Sequence, residues 1–157
     1  PRAELMAFKN FKIWRGRLPH WRADGVTYFV TFRHRRDLEP DECALLLRCL
    51  LKPDGARYDV SIAAVLPGQT ELIFKVHEMA TGEAYELAQI VETAKRKAGK
   101  AIIKKTGERF PPFYEESYDR IIRDEAEFEE RWDAILGSPE KLELADAGDW
   151  PGLWVAQ

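Results

Sequence analysis

The stretch AAVLPGQTELIF, from Ala63 to Phe74, contains two runs of apolar residues separated by Pro67-Gly68. Proline followed by glycine breaks an extended chain sharply, so this stretch predicts two antiparallel strands joined by a tight turn. Gln69 and Glu71 stand two residues apart at the start of the second strand, so both side chains point to the same face. A polar pair on such an apolar strand is either a solvated surface or part of a functional site.

The segments around this hairpin alternate between strand and helix. GVTYFVTFR, from Gly25 to Arg33, has the period of two that indicates a strand. Helices are predicted from Pro40 to Leu51, from Glu83 past Ile102 and from Asp124 to Leu136, with a short strand from Ser117 to Ile122. This order is typical of a split-βαβ arrangement. The predicted fold is therefore α+β, a ferredoxin-like two-layer sandwich whose antiparallel sheet has four or five strands.

The composition is that of one ordinary globular domain over residues 1–157, with 45% hydrophobic and 32% charged residues. Residues 1–24 are predicted to form a basic N-terminal arm, and residues 145–157 an aromatic tail that docks on the body. No run is long enough to span a membrane and no segment resembles a signal peptide, so the expected location is the cytoplasm. Cys43 and Cys49 have the spacing of neither a metal knuckle nor a redox pair.

The net charge of −3 conceals an uneven distribution of charge. Residues 1–36 contain nine Lys and Arg against two acids, and the segment from Lys95 to Lys105 adds six bases and no acid. Residues 124–149 contain ten acids against two bases. One part of the molecule is therefore expected to attract phosphate and another to repel it, although a solvated surface is the ordinary explanation of any single charged run.

Five stretches occur in the order found in one known family. LPHWRADGVTYFVTFR, from Leu18, is similar to that family's Leu-Pro-His entry and first strand, and AAVLPGQTELIF is similar to its strand, turn and His-hydrophobic-His motif. ETAKRKAGKAI, from Glu92, YDRIIRDEAEF, from Tyr118, and DAGDWPGLW, from Asp146, are similar to later segments. Together they resemble the REP-associated tyrosine transposases, a bacterial branch of the single-tyrosine HUH transposases, over nearly the whole chain.

The chemistry of that family depends on four positions. Two histidines on one strand, and a polar residue one helical turn past a tyrosine, hold Mg²⁺ or Mn²⁺, while the tyrosine attacks a DNA phosphate and forms a 5′-phosphotyrosine. The resemblance places Gln69 and Glu71 at the histidine positions, Ala134 at the tyrosine position and Ser138 at the fourth ligand position. Alanine has no nucleophilic atom, and a Gln–Glu pair is a poor two-ligand metal site. The resemblance thus implies a relative of an enzyme without its catalysis, metal or other cofactor.

Tyrosine elsewhere does not replace the missing nucleophile in this interpretation. No tyrosine follows Tyr118 in the chain, and both Tyr114 and Tyr118 precede the last long helix. Tyr118 resembles the aromatic residue before the family's Asp-Arg pair, so a packing role is expected for it.

DNA binding uses other residues than catalysis and is expected to remain. Family members recognise DNA hairpins with adjoining single-stranded nucleotides, and the resemblance implies the same partner here. Cationic side chains bind phosphates, and unpaired bases stack on aromatic rings. The predicted DNA-binding residues are Arg15, Arg17, His20, Trp21, Arg33, Arg35, Lys95, Lys97 and Lys100.

Other interpretations stay open. His20 and Trp21 could instead pack the N-terminal arm against the sheet. The lysines could simply form the solvated face of an amphipathic helix. Glu71 and the acids of the last long helix would repel DNA. A protein-interaction module on the same fold is therefore the main alternative, and a DNA-nicking enzyme with a divergent site, using a metal-bound water instead of a tyrosine, is the second. The family acts as a dimer, so a homodimer is expected in either case.

Overall fold

A computed structural model describes residues 26–77, 87–144 and 147–156 of the chain. The strands are β1 (Thr27–Arg33), β2 (Tyr58–Val65), β3 (Gln69–Val76), β4 (Tyr118–Ile122) and β5 (Leu153–Val155). The helices are α1 (Pro40–Leu51), α2 (Leu87–Thr106), α3 (Glu125–Leu136) and α4 (Ser138–Lys141), and a 3-10 turn covers Ala147–Asp149. The predicted N-terminal arm, with Arg15, Arg17, His20 and Trp21, lies outside the described residues.

The strands form one antiparallel sheet in the order β4-β1-β3-β2-β5. The hairpin of β2 and β3 turns at Pro67-Gly68, where the Leu66 N–H donates to the Gln69 carbonyl at 2.8 Å. β3 is the central strand, because β1 and β2 pair with it on either side. The α+β fold with an antiparallel sheet that the sequence predicts is confirmed.

Helices cover both faces of this sheet. α1 and α2 pack on one face, where Val30, Leu72 and Phe74 belong to a buried cluster with side chains from both helices. α3 packs on the other face, where Phe29 and Ile73 join its own buried side chains. Successive strand residues alternate between the two clusters, as the period of a strand requires. The sheet face that a residue of β3 points to is therefore known from its position along the strand.

Local sequence signals account for the helix ends. Glu39 and Glu42 form a capping box before α1, and Pro40 occupies its first turn, where a missing N–H costs nothing. Asp124 caps α3 by accepting a hydrogen bond from the Glu127 N–H at 2.7 Å. Arg36 contacts the Glu42 carboxylate at 2.8 Å and that of Glu108 at 2.6 Å, which ties the segment after β1 to α1 and to the segment after α2.

The C-terminal segment is attached to the end of β2. Trp150 is buried, and its indole N–H donates to the Val65 carbonyl at 2.7 Å. The Val65 N–H in turn donates to the Gly152 carbonyl at 2.7 Å. A Cβ on residue 152 would overlap the Val65 carbonyl oxygen, so the close approach of the two backbones requires glycine there.

One expectation about an individual helix residue is wrong. Lys95 was expected on the solvated face of α2, but its side chain is buried. Burial raises the pKa of the Cys43 thiol to about 12, so this group stays protonated and unreactive at neutral pH.

Within the described segments, no helix combines the length and the apolar character that crossing a membrane requires.

Candidate functional site

Five polar side chains lie together on the α3-facing side of the sheet, at one end of β1, β3 and β4. The strand register places Arg33 opposite Gln69, Thr31 opposite Glu71, and Tyr118 opposite Thr31. Directly opposed residues of antiparallel strands point to the same face, and so do residues two apart on one strand. Glu71 shares its face with Ile73, which packs against α3. We call this group, Thr31, Arg33, Gln69, Glu71 and Tyr118, the sheet-end site.

Gln69 and Glu71 contact each other within the sheet-end site. The Gln69 Nε2 donates to the Glu71 Oε1 at 2.5 Å, and both side chains are half-buried. Burial raises the pKa of the Glu71 carboxyl, against the opposing effects of the Gln69 hydrogen bond and of the charges on Arg131 and Lys141. The sequence prediction that both polar residues share one face is consistent with this contact. One N–H of Gln69 and one carboxylate oxygen of Glu71 are therefore hydrogen-bonded to each other.

Thr70, between these two residues, points to the opposite face and is fully buried. Its Oγ1 lies 2.8 Å from the Nε2 of His34, whose Nδ1 lies 2.7 Å from the Pro67 carbonyl oxygen. Because a carbonyl only accepts, the His34 proton is on Nδ1, and the Thr70 hydroxyl donates to the neutral Nε2. Burial lowers the pKa of His34, which favours this neutral form. The contact fixes the β3 backbone directly beneath Gln69 and Glu71.

A pocket of about 670 Å³ opens beside the sheet-end site. Tyr114 and Tyr118 line it and are 45% and 58% exposed, so both rings are available to a ligand. The guanidinium of Arg35 lies 5.0 Å from the centroid of the Tyr114 ring. The packing role expected for Tyr118 is therefore wrong. The remaining lining residues are Thr31, Phe32, Arg33, Gln69, Glu116 and Ser117.

The positions on α3 and α4 that the resemblance assigns to the nucleophile and the fourth ligand carry no tyrosine. Ala134 is exposed and lies one turn beyond Arg131, whose guanidinium is 4.7 Å from the Phe29 ring centroid on β1. Ser138 is buried, and its Oγ donates to the Ile135 carbonyl at 2.7 Å. The Ser138 hydroxyl is thus bound to the backbone of its own helix. Neither α3 nor α4 contains a tyrosine.

The chemistry of the sheet-end site is poorly suited to a divalent metal. Glu71 offers one carboxylate, and the amide nitrogen of Gln69 occupies one of its oxygens. A neutral amide oxygen is a weak second ligand, and the positive charges of Arg131 and Lys141 act on the same carboxylate. Within residues 26–77, 87–144 and 147–156, no group of three or more His, Cys, Asp and Glu side chains could hold a metal ion. We derive no metal-dependent step for this site.

The structure divides the described DNA-binding candidates between two faces of the sheet. Arg33 lines the pocket on the α3-facing side of the sheet. Arg35, just past the end of β1, lies against the Tyr114 ring of the same pocket. Lys97 and Lys100 are exposed on α2, which packs on the opposite face. These two lysines therefore lie on the other side of the sheet from Arg33.

Lys95 is directed inward instead of toward solvent. Its Nζ lies 4.7 Å from the Phe32 ring centroid and donates to the Glu115 carbonyl at 3.1 Å, with the Glu92 carboxylate at 3.4 Å. Burial lowers the pKa of this ammonium. Lys95 therefore holds the segment before β4 against the sheet, at the base of the loop that carries Tyr114.

Sequence reasoning missed two residues of this region. His34 was not singled out, because its partner Thr70 is 36 positions away. Tyr114 was considered only as a replacement nucleophile, and the aromatic run PPFY before β4 was the available signal for an exposed ring there.

Comparison with solved structures finds a likeness that covers most of the chain. The fold is similar to that of a REP-associated tyrosine transposase bound to a REP hairpin, with a TM-score of 0.65 over 86% of this chain and 79% of that chain. The sequence identity is 18%, so the likeness shows a shared fold. No family model matches the chain. The comparison with curated proteins likewise finds no match.

Proposed function

We propose that this protein binds structured or single-stranded DNA and does not catalyse strand cleavage through a phosphotyrosine. The pocket beside the sheet-end site is the observation that carries this proposal. It is lined by two exposed tyrosine rings and Arg33, and the guanidinium of Arg35 lies against the ring of Tyr114. Unpaired bases stack on exposed aromatic rings while cations neutralise the adjoining phosphates. The fold shared with a transposase bound to a DNA hairpin adds support for this class of ligand.

The proposed absence of catalysis is supported by the residues at the four positions that the resemblance assigns to the site. Ala134 offers no nucleophile, and Ser138 uses its hydroxyl within its own helix. Gln69 and Glu71 bind each other and are a poor pair of metal ligands. Of these four positions, only Gln69 lines the pocket, whose two tyrosines and Arg33 belong to other segments.

A titration of fluorescent DNA tests the binding proposal. The probe is a short hairpin with four unpaired nucleotides on the 5′ side of its stem, measured by anisotropy at 50 mM and 200 mM NaCl. We expect saturable binding that weakens steeply as salt rises, because bound phosphates release counterions. Tyr114→Ala is expected to weaken binding by about 1–3 kcal/mol, the value of one stacked base. Tyr114→Phe keeps the ring and is the matched control.

Arg33→Gln tests the contribution of phosphate contact separately. One lost contact lowers the slope of log K against log salt by about one, with little change in preference among sequences. Failure to detect saturable binding at low salt would contradict the proposal. It would favour the alternative, a protein-interaction module on the same fold.

A second experiment addresses catalysis. The protein is incubated with the same DNA and Mg²⁺ or Mn²⁺, and nicked strands and covalent adducts are separated on a denaturing gel. We expect neither product. An adduct mapped to Tyr114 or Tyr118 would show that one of these residues is a nucleophile and would overturn the proposal. The expected dimer is tested on the same sample by light scattering.

A gain-of-function variant tests the assignment of the four positions. Gln69→His, Glu71→His, Ala134→Tyr and Ser138→Asn are combined in one chain, and the same chain without Ala134→Tyr is the control. If the positions are assigned correctly, an adduct forms with metal in the first chain and is absent from the control.

A further inference from the structure

We propose that the pocket takes one unpaired nucleobase and that the Gln69 amide distinguishes adenine and cytosine from guanine and thymine. This inference rests on the proposed DNA binding and specifies what the same pocket recognises. It assigns a reading function to Gln69 and a positioning function to Glu71, at the two positions where the resembled family carries metal ligands.

The pocket has the size and walls for a single nucleotide. Its volume of about 670 Å³ lies in the range of small-ligand sites, roughly 300–1,000 Å³. Tyr114 and Tyr118 supply aromatic surface for the base, and Arg33, next to Gln69 across the strand pair, supplies a cation for its phosphate. Glu116 also lines the pocket. Its negative charge opposes a second phosphate, so the pocket suits one nucleotide better than a continuous strand.

The orientation of the Gln69 amide is set by Glu71. An ionised carboxylate only accepts hydrogen bonds, so the amide nitrogen and not the amide oxygen must face it, at the observed 2.5 Å. This leaves the Gln69 Oε1 as an acceptor and the second N–H as a donor. An amide without such a neighbour would present these two groups in either order. Here the order is fixed, which is what discrimination between bases requires.

The bases fall into two classes by the order of the same two groups. Adenine and cytosine present an amino donor beside a ring-nitrogen acceptor, whereas guanine and thymine present a carbonyl acceptor beside a ring N–H donor. Glutamine pairs with the adenine pattern through two hydrogen bonds, and a carboxylate accepts from the cytosine amino group. If stacking on the tyrosines and a phosphate contact with Arg33 hold the base in one orientation, a fixed amide binds one class and places like groups together for the other. We assign the adenine and cytosine class to this site, because glutamine characteristically pairs with adenine.

The remaining contacts hold this geometry in place. Thr70, the residue between the pair, is anchored on the opposite face by its hydrogen bond to His34, so the strand cannot rotate beneath the two side chains. Glu71 is itself half-buried between the sheet and the charges of Arg131 and Lys141. Both observations favour a preorganised amide over a mobile one.

The test uses a fluorescent hairpin with one unpaired nucleotide on the 5′ side of its stem, made with adenine, cytosine, guanine, thymine or an abasic site. We expect the wild-type protein to bind the adenine and cytosine probes roughly tenfold tighter than the guanine and thymine probes. The abasic probe is expected to bind at least as weakly as those two. All measurements are made at one salt concentration, where phosphate contacts contribute equally.

Two variants separate reading from positioning. Gln69→Met keeps the length of the side chain but removes the amide, and all four bases should then bind alike. Glu71→Gln lets the Gln69 amide adopt either order, so the preference should be lost while the adenine probe keeps its affinity within about threefold. Lys104→Gln, exposed on α2 at the opposite face, is the matched control and should keep the wild-type preference.

The outcomes distinguish this inference from the proposed function. Salt-dependent binding with no dependence on the base, or a preference that survives in both variants, overturns base reading and leaves DNA binding standing. Preference for guanine and thymine overturns the assigned class. Binding of none of the five probes, nor of the longer hairpin, overturns the proposed function itself.

Discussion

The two faces of β3 differ in how the fold uses their side chains. Thr70, Leu72 and Phe74 point toward α1 and α2, and all three are fully buried. Gln69 and Glu71 point toward the α3 side and are half-buried beside an open pocket. The single polar group of the first face is satisfied by His34, whereas the second face keeps hydrogen-bonding groups unused. The first face is therefore buried along its length, whereas the second is buried at Ile73 and open at its Gln69 end, where it can bind a ligand at small cost in stability.

The largest effect is expected from Leu72→Ala on the buried face. Leu72 has no exposed surface, so its truncation leaves a cavity and should lower the free energy of unfolding by about 2–5 kcal/mol. Urea unfolding followed by circular dichroism measures this value. The DNA affinity of the folded fraction should be unchanged. An affinity loss as large as that of Tyr114→Ala would contradict the separation of the two faces.

A smaller loss is expected from Thr70→Val. The substitution keeps the shape of the side chain but removes the donor to the buried His34 Nε2, which should cost about 1–3 kcal/mol of stability. Thr93→Val on α2, where the side chain is half-buried, is the control and should cost less. Equal stability of the two variants would show that the Thr70–His34 contact is dispensable.

His34 also makes stability depend on pH. Its pKa in the folded protein lies below the ordinary value of 6.5, so the unfolded chain binds the proton more readily. Stability is therefore expected to fall as pH drops from about 6.5 toward the folded-state pKa. His34→Gln should lack this part of the pH dependence, which unfolding curves at several pH values between 5 and 8 would measure. An equal change of stability with pH in the wild type and in His34→Gln would contradict this role of His34.

The smallest effect is expected from Glu71→Gln on the ligand-binding face. The pKa of the Glu71 carboxyl is raised by burial, so the folded protein holds this proton more tightly than the unfolded chain. Stability should therefore fall slightly as pH rises from about 4.5 through the folded-state pKa. Glu71→Gln should remove that decline and match or exceed the wild-type stability at pH 7. A clear loss at pH 7 would assign Glu71 to the structural part of the molecule.

The sequence predicts the fold well because its signals are local. Pro67-Gly68, Pro40 and Asp124 mark a turn and two helix starts by restricting or capping the backbone where they stand. The period of two likewise places Gln69 and Glu71 on one face without knowledge of any other segment.

The candidate site was predicted only in part. Arg33 and Gln69 were recognised, and they lie together at the pocket, but Lys97 and Lys100 lie on the opposite face. Lys95 resembles its neighbours in the sequence, yet its side chain is buried against Phe32. A run of lysines on a helix does not reveal which of them faces a distant segment.

The sequence by itself determined the order of the first four strands and the three long helices, the hairpin of β2 and β3, and the shared face of Gln69 and Glu71. These features depend on backbone preferences and side-chain periodicity within single segments. Only the tertiary structure decided that Tyr114 and Tyr118 form an exposed pocket beside Gln69, that His34 satisfies Thr70, and that α3 covers the face opposite α1 and α2. Each of these depends on contacts between residues far apart in the chain, and periodicity shows which face a residue is on without showing what packs against it.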